Sequence, residues 1–129
     1  MKKRLSIALQ QELKNNILKV KTDSLIVGVN EGRVLNPLSS KIDKATNGVI
    51  KKLAKRKEFE GKVGQQAYIA SPEGLSAERL YLIGFGKAKE SLSCENLDKI
   101  LNSTLNSVKS SKSKNASICF PSLKYSNNS

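Results

Sequence analysis

The most apolar run of the chain is Leu80-Tyr81-Leu82-Ile83, followed at once by Gly84-Phe85-Gly86-Lys87. Its length and its aromatic and β-branched content predict a strand from about Glu78 to Phe85. The strand is buried on both faces and stopped by the glycines, so it sits centrally in a sheet with helices above and below. Ser24-Leu25-Ile26-Val27-Gly28-Val29 predicts a second buried strand, and Asn30-Glu31-Gly32-Arg33 a turn after it, since Asn and Gly accept positive φ. Leu5-Ser6-Ile7-Ala8-Leu9 alternates as a half-buried first strand would. Residues 10–22 are charged and amide-rich, with Leu13, Ile17, Leu18 and Val20 as anchors for a short helix or a second edge strand. Gln65 to Ala70 predicts another strand, Ser71-Pro72-Glu73-Gly74 a turn, and Ala116 to Phe120 a last strand closed by Pro121.

Two segments have helical period. Pro37 with Ser39 and Ser40 introduces one helix running to about Lys57, with Asp43 near its positive end. Ile42, Val49, Ile50 and Leu53 share a face flanked by Ala45 and Ala54. Gly48 in its middle costs about 1 kcal/mol relative to alanine and lets the helix pack closely on a strand. Ser93 caps the second helix, with Leu92 and Leu97 as its staple. Its buried stripe is Leu97, Ile100, Leu101, Leu105 and Val108; Asn102, Ser103, Asn106 and Ser107 face outward. Ser110 to Asn115 is a polar loop, and residues 122–129 a frayed tail. Strands and helices alternate, which gives an α/β sandwich with a mixed, mostly parallel sheet.

Length and charge narrow the function classes. The chain of 129 residues suffices for one domain with a real core. No apolar run approaches the roughly 20 residues of a membrane span. Met-Lys-Lys-Arg resembles the start of a signal peptide, but Gln10, Gln11 and Glu12 cut the following apolar stretch short, so a cytoplasmic location is expected. Cys94 and Cys119 lack metal or redox spacing. The chain has no histidine, which excludes Ser-His and Cys-His nucleophile pairs and histidine-ligated zinc. The formal net charge is +12; residues 1–64 hold 15 Lys/Arg against 6 Asp/Glu, a balance of +9, and residues 65–129 hold 8 against 5, a balance of +3. Such an excess favours polyanions without choosing among nucleic acid, an acidic membrane surface and an acidic protein.

Two candidate sites follow. Gly84, Gly86 and Lys87 after a strand resemble a phosphate turn, whose backbone N–H groups cradle an anion. A nucleotide P-loop would need glycine at Tyr81 and Ser or Thr at Ala88, and the dinucleotide fingerprint glycine at Lys89, so a structural turn is the simpler reading. Lys41, Lys44, Lys51, Lys52, Lys55 and Arg56 gather on one side of the first long helix. This is either a solvated face or a polyanion-binding surface without base readout. No aromatics interleave with it, which disfavours single-strand stacking. The eleven carboxylates show no motif spacing, so no catalytic or metal residue is assigned.

Four segments together resemble one family: Asp23-Ser-Leu-Ile-Val-Gly-Val29; Ile42-Asp43 with Gly48-Val-Ile; Phe59-Glu-Gly-Lys-Val-Gly64; and Arg79-Leu-Tyr-Leu-Ile-Gly-Phe-Gly-Lys87. Their order and spacing are similar to the N-terminal domain of the leucyl (cytosol) aminopeptidases, over roughly Leu5 to Pro121. The resemblance implies a three-layer, macro-domain-like α/β fold over residues 1–121. It also implies a cytoplasmic, hexameric parent enzyme that releases N-terminal residues, leucine preferentially, from peptides. That parent uses two divalent metals, zinc or manganese, held by lysine and carboxylates of a C-terminal domain with an Asn-Thr-Asp-Ala-Glu-Gly-Arg-Leu stretch. No such stretch occurs here, so no catalytic or metal residue carries over, no cofactor is expected in this chain, and the chain alone is expected to be inactive. It reads as an expressed fragment or a truncated reading frame. The implied roles are docking to the catalytic domain, oligomer assembly and, as some bacterial members do, DNA binding; an ADP-ribose-binding role is a weaker reading.

Overall fold

The computed structural model describes residues 17–32, 35–87, 93–111 and 115–119. The first predicted strand at residues 5–9, the Leu92 staple and the tail lie outside these residues. Among the described residues, four strands form one sheet: β1 (Ser24–Glu31), β2 (Gln66–Ala70), β3 (Arg79–Lys87) and β4 (Ala116–Cys119), in the spatial order β2-β3-β1-β4. β1 runs parallel to both β3 and β4, while β2 is antiparallel to β3 on the edge. The sheet is therefore mixed and mostly parallel.

Strand alternation divides the core into two layers. Leu25, Val27, Val29, Leu80 and Leu82 point to one face, where they meet Leu38, Ile42, Ile50 and Phe59. Ile26, Tyr81, Ile83 and Phe85 point to the other and meet Ile100. Among the described residues, three helices cover these faces: α1 (Pro37–Ala45) and α2 (Val49–Lys55) on the first, and α3 (Cys94–Ser111) on the second. This is a helix–sheet–helix sandwich, and the two central strands are the two apolar runs of the sequence. Of the segment between residues 10 and 22, the described part, from Ile17, is a turn that buries Ile17 in the first core layer.

Three expectations are corrected here. The helix expected from residue 39 to 57 is two helices, broken at Thr46-Asn47-Gly48, where Asn47 and Gly48 take left-handed φ of 60° and 79°. A Cβ on Gly48 would meet nothing within 4 Å, so the glycine serves backbone conformation rather than close packing. The cap of α1 is Asn36, whose Oδ1 accepts from Ser39 N at 2.8 Å, with Pro37 inside the first turn. Asp43 is not near a free helix start but is buried in the break. Its Oδ1 accepts from the N–H groups of Ile50 (2.9 Å) and Lys51 (3.1 Å), the first turn of α2. The carboxylate of one helix thus caps the next.

The second correction concerns α3. Ser93 does cap it, its Oγ accepting from Asn96 N at 3.1 Å. Leu97, Ile100 and Val108 of its expected stripe do pack on the core, but Ser103, Thr104 and Ser107 join them there, while Leu101 and Leu105 are 43% and 55% exposed. Each buried hydroxyl has a partner: Ser103 donates to Gly64 O (2.7 Å), Thr104 to Ile100 O (2.8 Å), and Ser107 to Gln66 Oε1 (2.7 Å). α3 also continues to Ser111, through the start of the predicted loop. The third correction is that Gly84 and Gly86 do not stop β3. They lie within it, because a separate segment runs alongside.

Candidate functional site: the carboxyl end of the sheet

The chain leaves the carboxyl end of β1 toward α1 on one face and that of β3 toward α3 on the other. In open α/β sheets such a divergence leaves a crevice where ligands commonly sit. Here Gly61-Lys62-Val63-Gly64 occupies it as a strap. Gly86 N donates to Gly61 O (2.8 Å), Gly64 N to Gly84 O (3.1 Å), and Gly84 N to Gln65 O (2.8 Å). Gln65 Oε1 ties the strap down from within, accepting from Glu60 N and Lys62 N at 3.0 Å each. A Cβ on Gly84 would overlap the carbonyl oxygen of Lys62, and one on Gly61 would lie 2.8 Å from Asn30 O. Backbone touches backbone at both places. Opposite this contact the parallel register between β1 and β3 slips by one residue: Val29 faces Gly84, Asn30 faces Gly86, and Phe85 bulges. Asn30 Nδ2 donates to Gly86 O (3.3 Å) and Asn36 Nδ2 to Asn30 Oδ1 (2.7 Å), which joins the strand ends to the cap of α1.

The candidate anion turn is therefore made of groups that already have protein partners. The amides of Gly84 and Gly86 donate to the carbonyl oxygens of Gln65, which follows the strap, and of Gly61 within it; both glycines are buried, and Lys87 alone is exposed. An anion cradled there would displace both hydrogen bonds.

The six candidate polyanion ligands are divided by the helix break. Lys41 and Lys44 belong to α1; Lys51, Lys52 and Lys55 belong to α2, and Arg56 is its C-cap. All six are exposed. Lys51 Nζ lies 3.9 Å from Asp43 Oδ2, a weak pair for a side chain that is 71% exposed.

Sequence reasoning missed a groove beside the strap, about 600 Å³ in volume. Its floor is Val29, Leu35, Ile50 and Phe59; Lys51, Ala54 and Lys55 of α2 form one wall, and Glu31, Gly32 and Glu60 complete the rim. The signal available in the sequence was the spacing of Lys51 and Lys55, which places both on one side of a helical turn. Nothing local indicated that Glu31 and Glu60, 29 residues apart, would share a rim with them.

A mixed sheet between helical layers, closed at its carboxyl end by two interlocked glycine pairs, defines an α/β domain whose glycines serve backbone packing. A model of the cytosol aminopeptidase family, N-terminal domain, matches residues 26–129, and the chain belongs to that family. The match contains both glycine motifs and the contact between them.

Proposed function

We propose that the chain acts as the non-catalytic N-terminal domain of a leucyl aminopeptidase, serving oligomer assembly or modulation of a catalytic domain in the cytoplasm. The family match supports the placement, and the observation that carries the assembly role is the apolar strip on α3. Leu101 and Leu105, four residues apart, stand exposed while two serines and a threonine share the inward face with Leu97, Ile100 and Val108. A helix with two exposed leucines one turn apart is suited to burial against another protein surface. β4, four residues long and outermost among the described strands on its side, borders the same sheet face through Ala116 and Ile118.

Two measurements test this. The purified chain, with manganese or zinc added, is expected not to hydrolyse leucine-p-nitroanilide, and metal-dependent turnover would overturn the reading. In sedimentation equilibrium the native chain is expected to associate with rising concentration, and a Leu101→Asp/Leu105→Asp variant to remain monomeric with unchanged secondary structure. Monomers throughout for both would remove the assembly role.

A second reading is a nucleic-acid-binding surface formed by the six exposed cations of α1 and α2. Each phosphate neutralised releases a counterion, so affinity for duplex DNA is expected to fall steeply with salt, losing about 10³-fold or more between 50 and 200 mM if all six engage. A gel-shift series across that range checks it. Binding that is indifferent to salt, or absent at the lowest concentration, contradicts it. Among the described residues no helix is long and apolar enough to cross a membrane.

A further inference from the structure

We propose that the groove at the carboxyl end of β1 binds a small zwitterion with an apolar side chain, such as a free aliphatic amino acid or a very short peptide. The position is the one at which α/β sheets present ligands, beside the divergence of the β1 and β3 connections. The strap fills the crevice itself and leaves the space between its first residues, the end of β1 and α2. A volume of about 600 Å³ lies within the range of small-molecule sites.

The charge arrangement selects the ligand. Lys51 and Lys55 stand on one wall, with Glu31 and Glu60 elsewhere on the rim and an apolar floor between. Lys51 is shared weakly with Asp43, and Glu60 lies 3.6 Å from Lys62. Lys55 and Glu31 have no ion pair among the described residues. A carboxylate directed at Lys55 and an ammonium directed at Glu31 satisfy both, and an aliphatic side chain fits over Leu35 and Phe59. A nucleoside diphosphate would bring its negative charge against Glu31 and Glu60, and a fatty acid would leave Glu31 without a partner. The site lies wholly in this chain and stands apart from the assembly role.

The test is a titration of the full ¹⁵N-labelled chain with L-leucine, followed by amide chemical shifts. Leucinamide lacks the carboxylate and 4-methylpentanoate lacks the ammonium. Saturable shifts centred on Gly32, Ala54 and Lys55 are expected with leucine. Each analogue is expected to bind about tenfold more weakly or worse, as loss of a charge-assisted contact implies. Lys55→Ala and Glu31→Gln change exposed or half-buried rim side chains, and each is expected to weaken leucine to a similar degree with the remaining spectrum intact. The proposal is overturned if leucine gives no saturable shift up to its solubility limit. It is equally overturned if all three compounds act alike, if inorganic phosphate or ADP-ribose shifts the same amides instead, or if both variants bind as the native chain does.

Discussion

Gly84→Ala is expected to lower the unfolding free energy by about 3–5 kcal/mol, a large share of what a domain of this size holds. The cause is steric rather than conformational: the new methyl would occupy the space of the Lys62 carbonyl oxygen, with the carbonyl carbon of Gly61 close behind. Neither is the end of a flexible side chain, so relief requires moving the strap off β3. That movement endangers three backbone hydrogen bonds, between Gly84 and Gln65, Gly64 and Gly84, and Gly86 and Gly61. Each contributes about 1 kcal/mol, and overpacking adds about 1–3 kcal/mol. Urea denaturation followed by circular dichroism measures the loss. A variant within 1 kcal/mol of the native chain would show that the strap yields freely. Gly48→Ala offers a contrast: with open space around it, only the left-handed backbone is penalised, by about 1–2 kcal/mol.

The second large effect is at Asp43. Replacement by alanine leaves the N–H groups of Ile50 and Lys51 without their acceptor, inside a break that also buries Ile42 and Thr46. Loss of a helix cap costs about 0.5–2 kcal/mol, and a buried donor left unsatisfied about 1–3 kcal/mol. Together these place Asp43→Ala at about 2–3 kcal/mol in the same denaturation experiment. Asp43→Asn keeps an oxygen at the position of Oδ1 and is expected to recover more than half of the loss. Equal losses for both variants would assign the role to charge, through the 3.9 Å pair with Lys51, instead of to capping.

What the sequence made legible follows the range of the interactions. β1 and β3 were read from their apolar runs because burial on both faces leaves its mark on consecutive residues. β2 and the Ser71–Gly74 turn were read from local composition. Even the pairing of the two glycine motifs was visible as a pattern, although its cause was not: the Gly61–Gly64 strap and Gly84–Gly86 touch across more than twenty residues, a contact that periodicity cannot express. The helix break was misread for a related reason. Gly48 alone is tolerable inside a helix, and Asp43 makes sense as a cap only once α2 is known to start six residues further on. In α3 the inward face carries Ser103 and Ser107, whose partners are Gly64 and Gln66. A hydrophobicity pattern assigns such serines to solvent and moves Leu101 and Leu105 inward. The groove was hidden in the same way, since its rim charges come from β1, α2 and Glu60 just before the strap.

The strap explains why these glycines matter together. The two motifs are one contact seen from both sides. The carboxyl end of the sheet, where other α/β proteins place a phosphate, is closed here by the chain's own backbone.

Amide hydrogen exchange at Gly84 and Gly86 tests that account most directly. If both donate to the strap, their amides are expected to exchange slowly, with protection near that of Leu82 and Ile83 in the same strand, and to be unmoved by phosphate. Exchange at the rate of exposed amides, with protection appearing only when phosphate is added, would mean that these N–H groups await an anion and that the interlock does not hold.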